Sequence, residues 1–366
     1  MKRLIAFTII ALLPLCLMAK DQQKVKYTYK EASELTLIGK MFPDTPNPYE
    51  RIDFNKYQGF SERETELLRM SCGLAVTFKT DSPLISVRAE YISASYIHSK
   101  DDCKTATCGF DLYIKRRGEW IWAGSCAAGD NISKPQLMNL VNNMDDSTKE
   151  CLMYFPLYSH LKSVKIAVAE GCFIEPGEVP FRHKVAIYGS SHTQGNSTVR
   201  PGLNYPSIFT RRTGIQLLNM SVDGNCMMQP QFANAFKDAD VDAFIFDSLS
   251  NGTDKTIEEN LFNFIEAIQA AHPGKPLIFQ RSVWRERDNF NLAVREKDMK
   301  RIQMYEKLMA EALKKYDDVY FITPNPNTKY HDTSEDGSHF GDYGHNLWAE
   351  SIIKPVTKIL KKYGIK

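Results

Sequence analysis

In the first half of the chain, hydrophobic positions alternate with polar ones. Over positions 84–91 every second residue is apolar, from Ile85 to Tyr91, and the residues between them are mostly polar, which is the pattern of a half-buried strand. Similar runs lie at 74–78, 110–114, 120–123, 153–157 and 164–168. Because no helical periodicity separates these runs, the pattern predicts an all-β sandwich.

After Pro180, short apolar runs alternate with longer amphipathic stretches. The runs that predict strands lie at 185–188, 216–218, 243–246, 277–279 and 319–322. The stretches that predict helices are 257–271, 292–315 and 344–362, and Pro355 is expected to kink or divide the last of them. Strands that alternate with helices predict a parallel sheet covered on both faces.

The segment 175–180, with the sequence EPGEVP, separates the two patterns and reads as a linker. A chain of 366 residues is long enough for two domains. We therefore predict a β-sandwich domain over 20–178 and an α/β domain over 179–366.

The N-terminus has the layout of a secretory signal peptide. Lys2 and Arg3 precede an apolar run over 4–18, and the polar sequence KDQQ follows Ala19. We predict a signal peptide over 1–19 and export to the periplasm or the medium, with a buried N-terminal helix as the alternative. Cys16 leaves a lipid anchor open, although Leu15 is bulky where such sites have small residues. No later run is long enough to span a bilayer, so no integral membrane segment is predicted.

Composition and charge narrow the classes of function. The chain is 43% hydrophobic and 25% charged, as globular proteins are, and its formal net charge of +2 predicts no nucleic-acid partner. Of the seven cysteines beyond the leader, Cys103 and Cys108 are the most plausible disulfide pair in an oxidising compartment. Neither C-x-x-C nor histidine-rich spacing occurs, so no metal site is predicted. The oligomeric state stays open.

Polar residues cluster where the predicted strands of the second half end, which is where ligands bind in open parallel sheets. The sequence YGSSHTQG at 188–195 follows the first of these strands and places Ser191 in a turn of small residues. Such a turn can expose a reactive hydroxyl. It is also compatible with a plain turn or a phosphate cradle, although the spacings of P-loop and dinucleotide sites are absent.

A second cluster near the C-terminus contains Asp336 and His339 in the sequence DGSH. A serine nucleophile needs a base, and a histidine base needs a carboxylate to fix its tautomer, so one loop could supply both. A capping loop with an incidental histidine is the alternative. Gly224 and Asn251 follow the second and third strands and offer donors for an oxyanion, although both are also common turn residues.

Taken in order, these residues resemble the four sequence blocks of SGNH/GDSL hydrolases, over positions 185–360. The chain also resembles the GDSL-like lipase/acylhydrolases with an N-terminal GxDLY domain, through GFDLY at 109–113, RPGLNYPSIFTRRTG and NMSVDGNCMMQP. The resemblance implies an SGNH-type α/β/α three-layer domain with a five-stranded parallel sheet. It further implies a jelly-roll-like β-sandwich before that domain.

The same resemblance implies the roles of individual residues. Ser191 would be the nucleophile, His339 the general base and then acid, and Asp336 the carboxylate that orients it. The N–H groups of Ser191 and Gly224 and the Asn251 amide would form the oxyanion hole. No metal or organic cofactor would be required.

The resemblance favours a short acyl group, such as acetyl, on a carbohydrate, because sites in this superfamily are shallow and open. His192, Trp284 and His98 are candidate substrate-binding residues, with core packing or a surface loop as the alternatives. Ser190 stands where the name-giving motif has Asp, and His192 replaces an aliphatic residue, which leaves the acyl preference open. A lipase or thioesterase, and an inactive carbohydrate-binding protein, are the alternative functions.

Overall fold

The computed structural model of the chain describes residues 25–94, 103–283 and 285–366, and the predicted signal peptide lies outside them. The first half forms an antiparallel β-sandwich. Its strands are β1 (Tyr27–Glu31), β2 (Thr36–Ile38), β3 (Ala75–Thr80), β4 (Ile85–Ala94), β5 (Gly109–Arg116), β6 (Glu119–Ala127), β7 (Gln136–Val141), β8 (Lys149–Tyr154), β9 (Ser159–Ala169) and β10 (Glu175–Pro176).

Two antiparallel sheets make up the sandwich. One sheet has the strand order β1-β9-β4-β7, and the other has β10-β3-β8-β5-β6 with β2 beside β3. Their facing sides share one hydrophobic core, to which β4 contributes Ile85, Val87 and Ala89. Alternation in the sequence therefore correctly indicated which residues face this core.

Among the described residues of this half, two α-helices lie between strands, which the alternating pattern did not predict. They are α1 (Glu62–Arg69) and α2 (Lys104–Cys108). α1 begins with a capping box, in which the Ser61 hydroxyl accepts from the Glu64 N–H and the Glu64 carboxylate accepts from the Ser61 N–H. The S-x-x-E spacing was visible in the sequence, but a helix of eight residues has too few turns to show a clear period.

One predicted strand, at 153–157, is displaced. It corresponds to β8, which begins at Lys149 and ends at Tyr154. The apolar run continues past Tyr154 into a buried loop, and Pro156 in that loop has no N–H for a β-ladder.

The second half contains a five-stranded parallel sheet of order β12-β11-β13-β14-β15, as predicted. Its strands are β11 (Arg182–Gly189), β12 (Ile215–Asn219), β13 (Ala243–Asp247), β14 (Leu277–Gln280) and β15 (Val319–Ile322). Its helices are α3 (Ser191–Gln194), α4 (Tyr205–Thr213), α5 (Pro230–Phe236), α6 (Asp254–Ala271), α7 (Leu292–Lys315) and α8 (Asp342–Lys361).

Helices cover both faces of this sheet. Alternate residues of β11 enter different cores: Ile187 packs with α4 and α8, and Tyr188 packs with α5, α6 and α7. The α/β/α arrangement implied by the sequence is confirmed. α8 is one helix through Pro355, so the expected division does not occur.

The cysteines of the described residues are all free thiols, which corrects the expected pair. Cys103 caps the N-terminus of α2 and Cys108 is its last residue, so the two lie at opposite ends of this helix. Five positions on a helix turn the two side chains about 140° apart, given ~100° per residue. None of the helices in the described ranges is long and apolar enough to cross a bilayer.

Asp111, from the GFDLY sequence in β5, joins the sandwich to the α/β half. Its fully buried carboxylate accepts two hydrogen bonds of 2.9 Å from one Arg200 nitrogen and one of 3.0 Å from the Gly202 N–H. The Trp122 indole N–H donates to the same carboxylate at 2.9 Å. Burial raises the pKa of the Asp111 carboxyl, and the Arg200 guanidinium opposes that shift. The Asp111–Arg200 ion pair therefore fixes the segment around Arg200 and Gly202, which follows α3.

Replacing Asp111 by Ala is expected to lower the free energy of unfolding by about 3 kcal/mol, because Arg200 would lose its buried partner. Urea titration of both proteins measures the difference. The control is Glu178→Gln, which removes the exposed partner of Lys79 and is expected to cost less than about 0.5 kcal/mol. Equal stability of the Asp111→Ala and wild-type proteins would contradict this assignment.

Candidate active site

The carboxyl ends of three neighbouring strands carry the candidate residues. β11 lies between β12 and β13, and Ser191 follows it directly. Gly224 lies in the loop after β12, and Asn251 lies in the loop after β13. The chain leaves β11 toward one edge of the sheet and β13 toward the other, which opens a crevice at this point.

Ser191 is the first residue of α3 and is 4% exposed. The turn into α3 is tight: a side chain at Gly189 would place its Cβ 1.9 Å from the Thr193 hydroxyl oxygen. Only glycine fits there, because the Thr193 hydroxyl is itself bonded to the buried Asp247 carboxylate at 2.9 Å. Local packing thus sets the direction of the Ser191 side chain.

His339 connects Ser191 to Asp336. The His339 Nε2 atom lies 3.0 Å from the Ser191 hydroxyl oxygen, and its Nδ1 lies 2.7 Å from an Asp336 carboxylate oxygen. A carboxylate can only accept, so Nδ1 carries the proton and Nε2 is free to accept the serine proton. This is the arrangement of a nucleophile, its base and the group that orients the base.

The Asp336 carboxylate is held by its own loop. Its second oxygen accepts the backbone N–H groups of Ser338 and His339, each at 2.7 Å. Partial burial raises the pKa of Asp336, but hydrogen bonds from the His339 ring and from these two N–H groups outweigh burial and bring the pKa below its ordinary value. Asp336 therefore stays ionised at neutral pH and stabilises a protonated His339.

The loops that carry Gly224 and Asn251 are bonded to each other. The Asn251 side-chain oxygen accepts the Cys226 N–H at 3.1 Å, which directs the amide's donor group to the opposite side. Gly224 has a φ of +71° in a turn closed by the Asn225 N–H and the Val222 carbonyl, at 3.0 Å. Such a φ favours glycine.

Of the three candidate substrate-binding residues, His192 lies within the described part of the chain. His192 is 1% exposed, and its Nε2 donates to the Ser338 carbonyl at 2.9 Å. Burial lowers the pKa of His192 well below its ordinary value, so it is neutral and supports the loop of Asp336 and His339 from beneath. Trp284 and His98 lie outside the described residues.

The sequence carried little indication of the hydrogen-bond network behind Ser191. The Asp247 carboxylate accepts from the Thr193 hydroxyl at 2.9 Å and from the Tyr205 hydroxyl at 3.0 Å. The one available signal was an aspartate closing the apolar run of β13. Within the described ranges, no group of three or more His, Cys, Asp or Glu side chains is placed to hold a metal ion.

His345, in the first turn of α8, is a buried neutral histidine behind the site. Its Nε2 donates to the Asn196 carbonyl at 3.2 Å, and its Nδ1 accepts the Tyr205 N–H at 3.3 Å. Protonation of His345 at Nδ1 would place its new hydrogen against the hydrogen of the Tyr205 N–H. Burial lowers the pKa of His345 to about 4.

The unfolded chain therefore binds a proton at His345 between about pH 6.5 and pH 4 that the folded chain does not. The free energy of unfolding consequently decreases as the pH is lowered through that range. This group is expected to contribute about 2 kcal/mol to the loss of unfolding free energy between pH 7 and pH 5. Urea titrations at both pH values should show a smaller loss for His345→Gln than for wild type. His331→Gln, at an exposed histidine, is the control and should follow wild type. The same pH dependence in all three proteins would contradict the assignment.

Known proteins match both halves of the chain. A family model described as the GDSL-like lipase/acylhydrolase family matches residues 182–358, and the model for the GxDLY N-terminus of SGNH-type esterases matches residues 25–174. No curated protein matches the chain.

Three solved structures are similar over nearly the whole chain. A protein described as a GDSL-like lipase from Bacteroides ovatus is 34% identical, with a TM-score of 0.86 over 92% of this chain and 98% of its own. The salicylyl-acyltransferase SsfX3 from a tetracycline biosynthetic pathway is 18% identical, with a TM-score of 0.68 over 91% and 94%. A family two carbohydrate esterase from Cellvibrio japonicus is 10% identical, with a TM-score of 0.57 over 92% and 99%.

The acyltransferase and the carbohydrate esterase show a shared fold. The Bacteroides ovatus protein shows sequence similarity along nearly the whole chain. Together with the two family models, it establishes that this chain belongs to the GDSL-like lipase/acylhydrolase family and carries that family's GxDLY N-terminal region.

Proposed function

We propose that this protein is an exported serine esterase that removes short acyl groups, acetyl above all, from carbohydrates through an acyl-Ser191 intermediate. The observation that carries the proposal is the hydrogen-bond chain from the Ser191 hydroxyl through the His339 ring to the Asp336 carboxylate. Membership of a family of acylhydrolases supports the same reaction class.

In the first step, His339 Nε2 takes the hydroxyl proton as the Ser191 oxygen attacks the ester carbonyl. The tetrahedral intermediate then collapses, and protonated His339 gives that proton to the departing alcohol oxygen. Asp336 stabilises the imidazolium in between, because its carboxylate is ionised and 2.7 Å from Nδ1.

In the second step, water attacks the acyl-Ser191 ester while His339 accepts a proton from that water. Collapse of the second tetrahedral intermediate releases the acid and returns the proton to the Ser191 oxygen. The negative charge of both intermediates develops on the former carbonyl oxygen. We assign its stabilisation to the N–H groups of Ser191 and Gly224 and to the Asn251 amide.

The exposure of the candidate site supports the proposed substrate class. The side chains of His339 and Asp336 are 25% and 34% exposed, so a bulky alcohol can approach from the solvent side. Phe290 and Tyr330 are 94% and 69% exposed. Phe290 is three residues after Arg287, whose N–H donates to the Gly337 carbonyl at 2.8 Å, and Tyr330 is six residues before Asp336. Exposed aromatic rings beside a site suit the faces of sugar rings.

The remaining parts of the proposal come from the sequence. A signal peptide over 1–19 supports export, and the linker at 175–180 supports a domain boundary near residue 178. We assign the sandwich to 20–178 and the hydrolase domain to 179–366.

Replacing Ser191 by Ala is expected to lower kcat for a chromogenic acetate ester by about 10³-fold or more, because the acyl-enzyme cannot form. His339→Ala should lose as much activity, and Asp336→Asn should lose less. Spectrophotometric rates for each folded variant test this. The control is Ser351→Ala, which removes a hydroxyl bonded only within α8 and should leave kcat unchanged. A folded Ser191→Ala protein with wild-type activity would refute the mechanism.

Phe290→Ala is expected to raise KM for acetylated xylan by about fivefold, given a stacking contribution of about 1 kcal/mol. KM for the small chromogenic ester should change by less than about twofold. Acetate release and chromogenic rates measure the two. Leu313→Ala, at an exposed position near the far end of α7, is the control.

A series of chromogenic esters of increasing acyl length separates this proposal from a lipase. The proposed enzyme should prefer acetate, and a preference for long chains would favour the lipase instead.

A further inference from the structure

Arg51 is a fully buried arginine in the first half of the chain, with an exposed fraction of 1%. Its guanidinium donates to the backbone carbonyls of Leu67 at 2.6 Å and Met70 at 3.0 Å, on the same half. It also donates to the carbonyls of Asn219 at 3.1 Å and Ser221 at 2.9 Å, on the α/β half. One charged group therefore bonds both halves through neutral acceptors.

The two carbonyls on the α/β half belong to the segment that ends β12 and leads to Gly224. Ser221 is three residues before Gly224, and the Val222 N–H between them donates to the Gly189 carbonyl at 2.9 Å. Arg51 and Gly189 thus hold this segment from two sides, just before the turn that presents the Gly224 N–H.

Arg285 and Arg301 hold the loop after β13, which carries Asn251, in a similar way. Both donate to one acceptor, the Ser250 carbonyl, at 3.1 Å each, and Ser250 is directly before Asn251. The Asp298 carboxylate lies between the two arginines, 3.2 Å from Arg285 and 2.9 Å from Arg301. The side chains of all three are no more than 10% exposed.

These arrangements are costly for stability alone. Each guanidinium loses its hydration on burial, and buried ion pairs rarely stabilise a fold more than apolar side chains of the same size. What a buried guanidinium supplies is a rigid fork of donors that fixes several acceptors at once.

We propose that Arg51, Arg285 and Arg301 are positioning residues that hold the oxyanion donors Gly224 and Asn251 in the geometry of the transition state. This rests on the proposed function, because it presupposes acyl transfer at Ser191. Arg51 acts on the Gly224 turn and comes from the sandwich half, so that half takes part in shaping the site. Arg285 and Arg301 act on Asn251 through Ser250.

The test replaces each arginine by lysine, which keeps the charge but loses the planar fork. Asn251→Ala, which removes a donor outright, is the reference. The matched control is Lys149→Gln, since Lys149 is a buried cation in the sandwich that is likewise bonded to backbone carbonyls, those of Asp81, Asp145 and Ser147. For each folded variant, kcat and KM are measured on the chromogenic acetate ester. The inhibition constant of a boronic acid, which becomes tetrahedral on Ser191, is measured alongside.

Each lysine variant is expected to lower kcat about 10-fold or more, with KM changed by less than about twofold, because a displaced donor weakens only transition-state binding. The inhibition constant of the boronic acid should rise by a similar factor. Arg285→Lys and Arg301→Lys should add little in the Asn251→Ala background, because the donor that they position is already gone. Lys149→Gln should leave all three quantities at wild-type values.

Folded lysine variants with wild-type kcat would overturn the proposal while leaving the esterase intact. Full additivity of Arg285→Lys and Arg301→Lys with Asn251→Ala would also overturn it, because it would assign these arginines to stability alone. Should Arg51→Lys fail to fold, Arg285→Lys and Arg301→Lys still test the proposal. An inert wild type, or a fully active Ser191→Ala, would instead refute the esterase itself and this inference with it.

Discussion

The Asp111 carboxylate lies at the seam between the two halves, where Arg200 and the Gly202 N–H bond to it. A buried charge must have partners, so this carboxylate constrains how the sandwich docks on the α/β half. The docked sandwich places Arg51 against the end of β12. It also places the Tyr158 hydroxyl oxygen 3.4 Å from an Asp223 carboxylate oxygen, beside the Gly224 turn. The sandwich is therefore part of the scaffold of the site, and the GxDLY sequence provides one of its points of attachment.

The α/β half brings residues that are distant in sequence together at the carboxyl ends of its strands. Ser191, Gly224 and Asn251 come from adjacent strands, but His339 follows β15, which is three strands away from β11. The loop after β15 reaches back through contacts with the segment before α7, where the Glu286 carboxylate accepts from the Thr333 hydroxyl at 2.9 Å. A short bridge between Ser334 and Phe340 then closes the turn that carries Asp336 and His339.

Buried charge and buried polarity recur around this site. Asp247 lies under the turn that carries Ser191, and neutral His192 and His345 lie under the neighbouring loops. Buried arginines bond the carbonyls of Ser221 and Ser250, which precede the proposed oxyanion donors Gly224 and Asn251. Such groups lower the net stability of a domain, because their hydration is lost. They also hold loops more rigidly than apolar packing does. A surface that must stabilise a developing charge without reorganising needs that rigidity.

The sequence by itself determined the two architectures and the candidate site, because periodicity two and strand–helix alternation report burial directly and the motif residues stand at strand ends. Tertiary contacts decided the bounds of the strand predicted at 153–157 and the buried position of His192. They also decided where helices α1 and α2 form. The same is true of Arg51, Arg285 and Arg301, since an arginine bonded to carbonyls far along the chain has no local signature. Local patterns encode which face is buried, whereas the partner of a buried charge exists only once the chain has folded.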